Sequence, residues 1–290
     1  MNKKIVYLWG LLIFLVILSI GSNISQNVNL TYDSSEKGTI IKDEIPDQPR
    51  ISKSWHNFTS IHIKNNWTIA KNLGWVSGSG LPGDPYVIEN MTINAKGGPY
   101  GILIEDNNDY FEIRNCTVYN STGTKFIPTR HLVWGGIILA NSMYGEIKDS
   151  HLYDNLGGIS LFNSSRNNLT NNEIYDCDAG IFLRGGFSSP FEKVECYNNI
   201  LIDNNMTNCG IYFNIGLDEA ISTSIDTSNK VNKNSVYYYT NTSNLNNANF
   251  SKPGLIILLS SCPRHHVLSS PLFLLLTQFG RQKFPGDIVE

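Results

Sequence analysis

Aromatic side chains in the middle of the chain are the residues best suited to bind a ligand. Three tyrosines, Tyr119, Tyr153 and Tyr175, each follow an aliphatic residue directly. A second group combines aromatic rings with one guanidinium and consists of Phe162, Phe182, Arg184 and Tyr212. Flat rings along a rigid surface suit stacking against sugar rings, and Arg184, Glu105 and Asn214 can bind hydroxyl or acidic groups. The alternative is that the rings stack on one another and only stabilise a sheet.

Acidic residues do not converge in the way that polysaccharide cleavage requires. Such enzymes use paired carboxylates as acid and base, or carboxylates that bind calcium beside a basic residue. Asp149 and Asp203 are instead expected at bends, and three further aspartates precede a glycine in positions typical of turns, namely Asp154, Asp176 and Asp178. No catalytic residue is therefore assigned. Calcium in the turns stays open as a ligand, although the calcium-binding nonapeptide pattern is absent.

Copper requires clustered Cys, Met or His ligands, and the sequence does not cluster them. His151 has no neighbouring ligand, His131 lies in an insertion, and His265 and His266 lie in an atypical end of the chain. Met206 is close to Cys209 but belongs to an aliphatic column. The sequence therefore predicts no metal site and no cofactor, and copper in particular is not expected.

The cysteine pattern does not indicate a disulfide framework. Cys177 and Cys209 occupy matching positions, so they are expected to stack in adjacent turns about 4.8 Å apart, beyond the roughly 3.5–4.5 Å between Cβ atoms of a disulfide. Buried free thiols are the expectation, and a bridge that requires a local tilt is the alternative. The remaining cysteines are Cys116, Cys196 and Cys262.

A recurring phrase indicates the elements that must hold these side chains. Gly-Ile followed by alternating apolar residues begins at Gly101, Gly136, Gly158, Gly180 and Gly210. The three middle phrases are 22 residues apart, and the longer outer intervals must contain insertions. Repetition at a fixed interval is typical of a solenoid, in which each turn buries its apolar face against its neighbours.

A second column of residues supports the same register. Ile88, Ile113, Ile147, Leu169 and Leu201 are each followed two positions later by Asn or Asp, at Asn90, Asn115, Asp149, Asn171 and Asp203. Asn and Asp tolerate the left-handed backbone conformation, so this column predicts a tight bend between two short strands. An aliphatic residue follows three positions after each bend. Each turn therefore contains three short strands.

These patterns predict an all-β, single-stranded parallel β-helix with three short strands per turn of about 22 residues. Alternation places Ile102, Ile137, Ile159, Ile181 and Ile211 on the inside, where successive turns would bury them. An α-helical solenoid is excluded, because residues 163–172 are too rich in Asn and Ser for a helix.

The chain resembles the right-handed parallel β-helix repeat proteins, in particular archaeal members of the group related to the periplasmic copper-binding protein NosD and to the carbohydrate-binding and sugar-hydrolase modules. The stretch at 78–90 resembles the start of the first full coil, and residues 225–239 resemble a later element. The resemblance implies the right hand of the coil. It does not imply one activity, because this coil supports lyases, hydrolases, esterases and proteins with no known reaction.

The two ends of the chain differ from its middle. Residues 1–21 combine a basic start with an apolar run, which predicts a signal peptide or an N-terminal membrane anchor. A polar linker is expected at 22–57, the β-helix at 58–262, and an atypical segment at 263–290, in which asparagine is absent. That last segment is either the product of a frameshift or truncation, or a divergent cap.

Composition agrees with export and excludes one class of partner. The net charge of −3 provides no basic stripe, so nucleic acid is not expected as a partner. Glycosylation sequons are frequent, and chance in an Asn-rich solenoid is an equal explanation. The candidate acceptors are Asn57, Asn66, Asn120, Asn163 and Asn241, and further sequons begin at Asn23, Asn29, Asn90, Asn115, Asn168, Asn205 and Asn249.

The sequence thus predicts an exported, extracellular or cell-surface module that touches a membrane only through an uncleaved N-terminal segment. Its expected role is to bind a polysaccharide or glycan, or to serve as a structural protein of the cell envelope. The alternative is a polysaccharide lyase or glycoside hydrolase. The sequence does not decide whether the protein is an enzyme, and it favours binding without catalysis. A second alternative, accessory work in copper enzyme maturation, comes from the resemblance alone.

Overall fold

The computed structural model describes residues 55–127, 131–185, 196–240, 250–259 and 273–276. Three parallel sheets wind around one apolar core, because each turn of the chain contributes one strand to each sheet. The predictions for 1–21, for most of 22–57 and for most of 263–290 lie outside the described residues.

The first sheet is built from the Gly-Ile phrases and the strand before them. Its inward residues stand in register, with Ile102 paired to Ile137, Ile137 to Ile159, Ile159 to Ile181 and Ile181 to Ile211. The strands in spatial order are β2 (Ile61–Lys64), β6 (Tyr100–Glu105), β11 (Gly135–Ala140), β14 (Gly157–Phe162), β17 (Ala179–Arg184) and β20 (Ile211–Asn214).

The second sheet contains the short strands that precede the predicted bends. From one edge to the other it consists of β21 (Ser224–Ile225), β18 (Ile200–Ile202), β15 (Asn168–Thr170), β12 (Gly145–Lys148), β7 (Phe111–Arg114), β4 (Tyr86–Glu89) and β3 (Val76–Ser77). All pairings are parallel except that of β3 with β4, which is antiparallel.

The third sheet has the most strands of the three and contains the three candidate tyrosines. Its strands are β1 (Trp55–Phe58), β5 (Met91–Asn94), β8 (Thr117–Tyr119), β13 (His151–Tyr153), β16 (Glu173–Tyr175), β19 (Asn205–Thr207), β22 (Lys230–Val231), β23 (Asn234–Thr240), β24 (Leu255–Leu259) and β25 (Phe273–Leu276). The pairings of β22 with β23 and of β24 with β25 are antiparallel, so the regular winding changes at this end.

Insertions between turns form the remaining elements. One insertion contains an antiparallel hairpin of β9 (Lys125–Ile127) and β10 (His131–Val133). Two short helices, α1 (Trp67–Asn72) and α2 (Leu217–Ser222), each follow a strand of the first sheet. Trp67 of α1 stacks on Tyr86 at 4.8 Å between ring centroids, which ties this helix to the second sheet.

The interior is a continuous column of aliphatic side chains. Ile102, Ile137, Ile159 and Ile181 have no solvent exposure, and the same core contains the inward residues of the other two sheets. Full burial of such a side chain contributes roughly 1.5–3 kcal/mol, so the stacked turns stabilise one another. The parallel β-helix predicted from the repeat is confirmed.

The predicted bend column adopts the left-handed conformation at every position. The φ angles are 57° at Asn90, 49° at Asn115, 51° at Asp149, 53° at Asn171 and 56° at Asp203. Asn and Asp accept positive φ more readily than other residues with a side chain, so the column places one bend above the next. The turns therefore keep the same outline along the coil.

Candidate functional site

The outer face of the first sheet carries the candidate binding residues Phe162, Phe182, Arg184 and Tyr212. Alternation points these side chains away from the central core. The hairpin insertion crosses part of this face, and Val133 packs with Leu103, Ile138 and Ala140 in a second, smaller apolar cluster. Part of the outer face is thus covered by protein.

Phe162 and Tyr212 are less accessible than outward-pointing aromatic residues were expected to be. Phe162 is only 1% exposed, since it belongs to the second apolar cluster, and Tyr212 is 8% exposed. Burial raises the pKa of Tyr212 to about 12. The structure thus leaves Phe162, which packs with the insertion residue Val133, and Tyr212 with little surface open to a ligand, while Phe182 is more accessible.

Trp134, Phe182 and Arg184 form a partly exposed group that we call the outer-face platform. The rings of Trp134 and Phe182 are stacked, with centroids 5.4 Å apart and an angle of 26° between planes. The guanidinium carbon of Arg184 lies 5.9 Å from the centroid of the Trp134 ring. All three side chains are half-buried. Asn214, which is exposed, neighbours Arg184 on the next strand.

Trp134 was not predicted as a site residue. It directly precedes the Gly135–Ala140 strand, at the end of the insertion 121–135 that the sequence suggested as the wall of a groove. A large aromatic residue at the junction of an insertion and a repeat was the available signal. The insertion places this ring over Phe162 and Phe182. The second suggested wall, 185–195, lies outside the described residues beyond Gly185.

Arg184 has an unusual electrostatic environment. Its Nε is buried and has no hydrogen-bond acceptor, and among the described residues no carboxylate lies within 4.0 Å of its guanidinium. Burial lowers the pKa of Arg184 from its ordinary value. Its contact with Trp134 is a cation–π contact, which does not satisfy the N–H groups.

At the other end of the same face, Glu105 is held by two partners. Its side chain is 3% exposed and lies 2.8 Å from His62 Nε2 and 2.7 Å from Lys64 Nζ, and Lys64 also pairs with Asp106 at 2.9 Å. Burial raises the pKa of Glu105, but the hydrogen bonds from His62 and Lys64 outweigh burial and hold that pKa at about 2. Glu105 is thus ionised and already paired.

The three candidate tyrosines on the third sheet form a ladder of stacked rings. Centroids are 4.8 Å apart for Tyr119 and Tyr153 and 5.0 Å apart for Tyr153 and Tyr175, with 7° between planes in both pairs. Both faces of Tyr153 are therefore covered by its neighbours. A sugar ring cannot stack on Tyr153, and the ladder presents ring edges and hydroxyl groups.

The ends of the tyrosine ladder are polar. Tyr119 is in register with Asn94, and Tyr175, which is 36% exposed, is in register with Thr207. One face of Tyr175 is therefore the part of the ladder that most resembles a stacking surface. The ladder's geometry is what cross-strand aromatic stabilisation alone would produce.

The structure places the aspartates as the sequence expected, at bends and turns. Asp149, Asp154, Asp176 and Asp203 have positive φ, and Asp176 accepts a hydrogen bond from Asn208. Asp178 is exposed. Among the described residues no group of three or more His, Cys, Asp or Glu could hold a metal ion.

The described histidine and methionine candidates are accounted for by local packing. Nδ1 of His151, an exposed residue, lies 3.0 Å from a carboxylate oxygen of Glu173. Met206 is fully buried in the core column. His265 and His266 lie outside the described residues, as does the side chain of His131.

Four cysteines are buried free thiols, namely Cys116, Cys177, Cys196 and Cys209. Burial is the main cause that raises the pKa of each to about 12. The thiolate is the form that binds metals and attacks electrophiles, so these groups are poor ligands and poor nucleophiles in the folded protein. Cys262 lies outside the described residues.

The candidate glycosylation residues differ in accessibility. Asn66 is buried and accepts a hydrogen bond from the Lys64 backbone, while the side-chain amides of Asn120 and Asn163 donate to Asn94 and Asn141. Asn168 is exposed on the second sheet. The side chain of Asn57 and the whole of Asn241 lie outside the described residues.

In the part of the chain that the structure describes, neither helix has the length and apolar character needed to cross a membrane.

Comparison with known proteins identifies the family. The family model described as "Right handed beta helix region" matches residues 50–262, which is more than half of the chain. No curated protein and no solved structure gave a significant match. The parallel winding of three sheets agrees with the family model, and the fold by itself occurs in enzymes and in non-enzymes alike. The chain therefore belongs to the right-handed β-helix family.

Proposed function

We propose that this protein binds a polysaccharide or glycan, that the outer-face platform is the binding site, and that the protein acts as a non-catalytic module at the cell envelope. The observation that carries the proposal is the group of half-buried Trp134, Phe182 and Arg184 beside the exposed Asn214. Ligand sites combine aromatic surface with a few polar groups in this way. Membership of the β-helix family is consistent with a carbohydrate-binding or hydrolase-like module.

On the first sheet, the distribution of carboxylates supports binding rather than hydrolysis, and the glutamates of the second sheet, Glu89, Glu112 and Glu146, are ion-paired with Arg114 and Lys148. Glycoside hydrolysis uses two carboxylates on either side of the bond that is cleaved. In the six described strands of the first sheet, Glu105 is the one acidic residue, and it is ion-paired with His62 and Lys64. The lyase or hydrolase remains the alternative. Incubation of acidic polysaccharide with the protein, with and without calcium, tests for it by the appearance of new unsaturated or reducing ends.

We propose that the protein is related to the NosD group, and we do not propose that it binds copper. The four described thiols are buried and protonated, which gives copper maturation no support among the described residues. Stoichiometric copper in protein purified from copper-containing medium would favour that alternative. No cofactor is proposed.

We also propose that the protein is exported, with residues 1–21 as signal peptide or anchor and 22–57 as linker. The basic start and apolar run of 1–21 support this proposal. For 263–290, after the coil of 58–262, we propose an atypical segment that is either the product of a frameshift or truncation or a divergent cap; the pairing of the backbone of Phe273–Leu276 with Leu255–Leu259 supports the cap. The frameshift alternative predicts Asn-rich Gly-Ile phrases in another frame of the nucleotide sequence downstream of Ser261.

A glycan array followed by affinity gel electrophoresis of the full-length chain tests the binding site. Trp134→Leu and Phe182→Leu should each weaken retention about tenfold or more, because an aromatic contact of this size contributes about 1.4 kcal/mol or more. Tyr175→Leu is the matched control, since it removes an exposed ring from another sheet. Asn214→Ala, at an exposed position, should weaken retention without affecting packing.

The same measurements can contradict the proposal. Absence of retention of any glycan by the folded wild-type chain would remove the proposed function. Retention that is lost in Tyr175→Leu but kept in both platform variants would move the site to the tyrosine ladder. Thermal unfolding of each variant separates lost binding from lost folding.

A further inference from the structure

We infer that the outer-face platform binds an acidic sugar, whose carboxylate or sulfate group pairs with the guanidinium of Arg184. This inference rests on the proposed function and names the class of glycan. Arg184 differs in its ion pairing from the other half-buried basic side chains of the first and second sheets.

Three other half-buried basic side chains, all on strands of the first and second sheets, have carboxylate partners. Lys64 pairs with Glu105 and Asp106 on the same sheet as Arg184. On the second sheet, Arg114 pairs with Glu89 and Glu112, and Lys148 pairs with Glu112 and Glu146, at distances of 2.8–3.3 Å. Within the described residues Arg184 has no such partner, and its Nε has no acceptor.

An unpaired cation that is partly removed from water is energetically unfavourable. The guanidinium of Arg184 approaches the Trp134 ring, but ring contact leaves its N–H groups without acceptors. A carboxylate or sulfate group presents two oxygens that match the two parallel N–H groups of a guanidinium. An anionic ligand would therefore supply the partner that the described residues do not provide.

The residues in register with Arg184 do not repel an anion, and the nearby carboxylate of Glu219, which lies beside Gly185, already accepts hydrogen bonds from the backbone N–H groups of Cys196 and Gly216. On the adjacent strands Arg184 is in register with Phe162 and Asn214, neither of which carries a charge. Glu105, the one acidic residue in the described strands of this sheet, is three strands away, roughly 14 Å at the usual strand spacing. The stacked rings of Trp134 and Phe182 lie beside the guanidinium and can contact the sugar ring that carries the acid.

Calorimetric titration of the full-length chain with three small probes tests the inference. Methyl glucuronide carries a carboxylate, glucose 6-sulfate carries a sulfate group, and methyl glucoside is the uncharged control. We expect at least one acidic probe to bind about tenfold more tightly than the glucoside, as a charge-assisted hydrogen bond allows. The ratio between the affinities of the two acidic probes identifies which acid the site prefers. Added salt should reduce the advantage of the acidic probes over methyl glucoside.

Variants at one position separate this role from a structural one. Arg184→Gln should abolish the preference for acidic probes, and Arg184→Lys should retain part of it because a lysine lacks the fork of donors. Without ligand, Arg184→Gln should be at least as stable as the wild type, because it removes an unpaired charge; a residue needed for packing would behave in the opposite way. Arg166→Gln, at an exposed arginine bonded to Tyr144, is the matched control.

Each result supports or overturns the inference. Equal binding of acidic and neutral probes by the wild type, or a preference that survives in Arg184→Gln, would overturn it. Retention of neutral polysaccharide by Arg184→Gln would in that case leave the proposed function intact. Absence of retention of any glycan by the wild-type chain would instead remove the proposed function itself, so the two failures are distinguishable.

Discussion

In four of the five Gly-Ile phrases, the first glycine is required for space rather than for backbone conformation. None of the five has a positive φ. A Cβ atom at Gly158 would lie 2.4 Å from Ile174 Cγ2 and 2.5 Å from the carbonyl oxygen of Gly180 on the next turn. Gly101 is similarly restricted, with Val118 Cγ1 at 2.2 Å. The close approach of one turn to the next therefore selects glycine.

We predict that Gly158→Ala lowers the free energy of unfolding by about 1–3 kcal/mol, the usual cost of overpacking. Gly210→Ala is the matched control in the same column, because its added Cβ would meet only Val231 Cγ2, at 3.9 Å. Denaturant unfolding of both variants measures the difference. Equal stability of the two variants would contradict the steric explanation.

Between the second and third sheets, a buried ladder of amide side chains stabilises successive turns. Asn172 accepts from the Ser150 backbone at 3.2 Å and donates to the carbonyl oxygen of Ile147 at 2.9 Å. Asn204 repeats this arrangement one turn later, with the backbone of Asn172 and the carbonyl of Leu169. Each amide thereby satisfies backbone groups that the bend leaves without a sheet partner.

We predict that Asn172→Ala lowers the free energy of unfolding by about 2–4 kcal/mol, because buried backbone groups lose their partners. Asn168→Ala, on the exposed side of the second sheet, is the matched control and should change stability by less than about 0.5 kcal/mol. Chemical denaturation of both variants gives the comparison. A loss for Asn172→Ala no larger than that of the control would show that the ladder contributes nothing.

The described turns form a one-dimensional stack, so their core opens only when turns separate. The four buried thiols are distributed along this stack, with Cys116 near the beginning and Cys209 near the end of the regular turns. Because burial raises their pKa to about 12, they lack the reactive thiolate at neutral pH. Thiol reactivity therefore reports the integrity of the coil.

We predict that a Cys262→Ser variant takes up no thiol reagent at pH 8 while folded and four equivalents after denaturation. Mass spectrometry without reducing agent counts the labels. Two equivalents after denaturation would instead indicate a bridge such as the one considered between Cys177 and Cys209. Rapid labelling of the folded chain would contradict a continuously packed core.

The sequence alone determined the fold and the register of its turns. The phrase glycines and the bend residues recur at the same positions of successive turns as the inward-facing aliphatic residues. Local periodicity therefore specifies which side chains face inward. The phrase glycines are Gly101, Gly136, Gly158, Gly180 and Gly210. The bend at Asn171 was predictable because positive φ is a local property. The inward position of Asn172 beside it was not predicted, since its partners come from neighbouring turns.

Only the tertiary structure decided which outward side chains remain accessible. The repeat points Phe162, Phe182 and the three tyrosines outward equally, but the insertion covers Phe162, and the tyrosines cover one another. Insertions follow no period, so the sequence could not place Trp134 over the first sheet. Ion pairing also depends on residues far apart in the chain. The carboxylates beside Lys64, and the lack of one beside Arg184 among the described residues, therefore appear only when the turns are stacked.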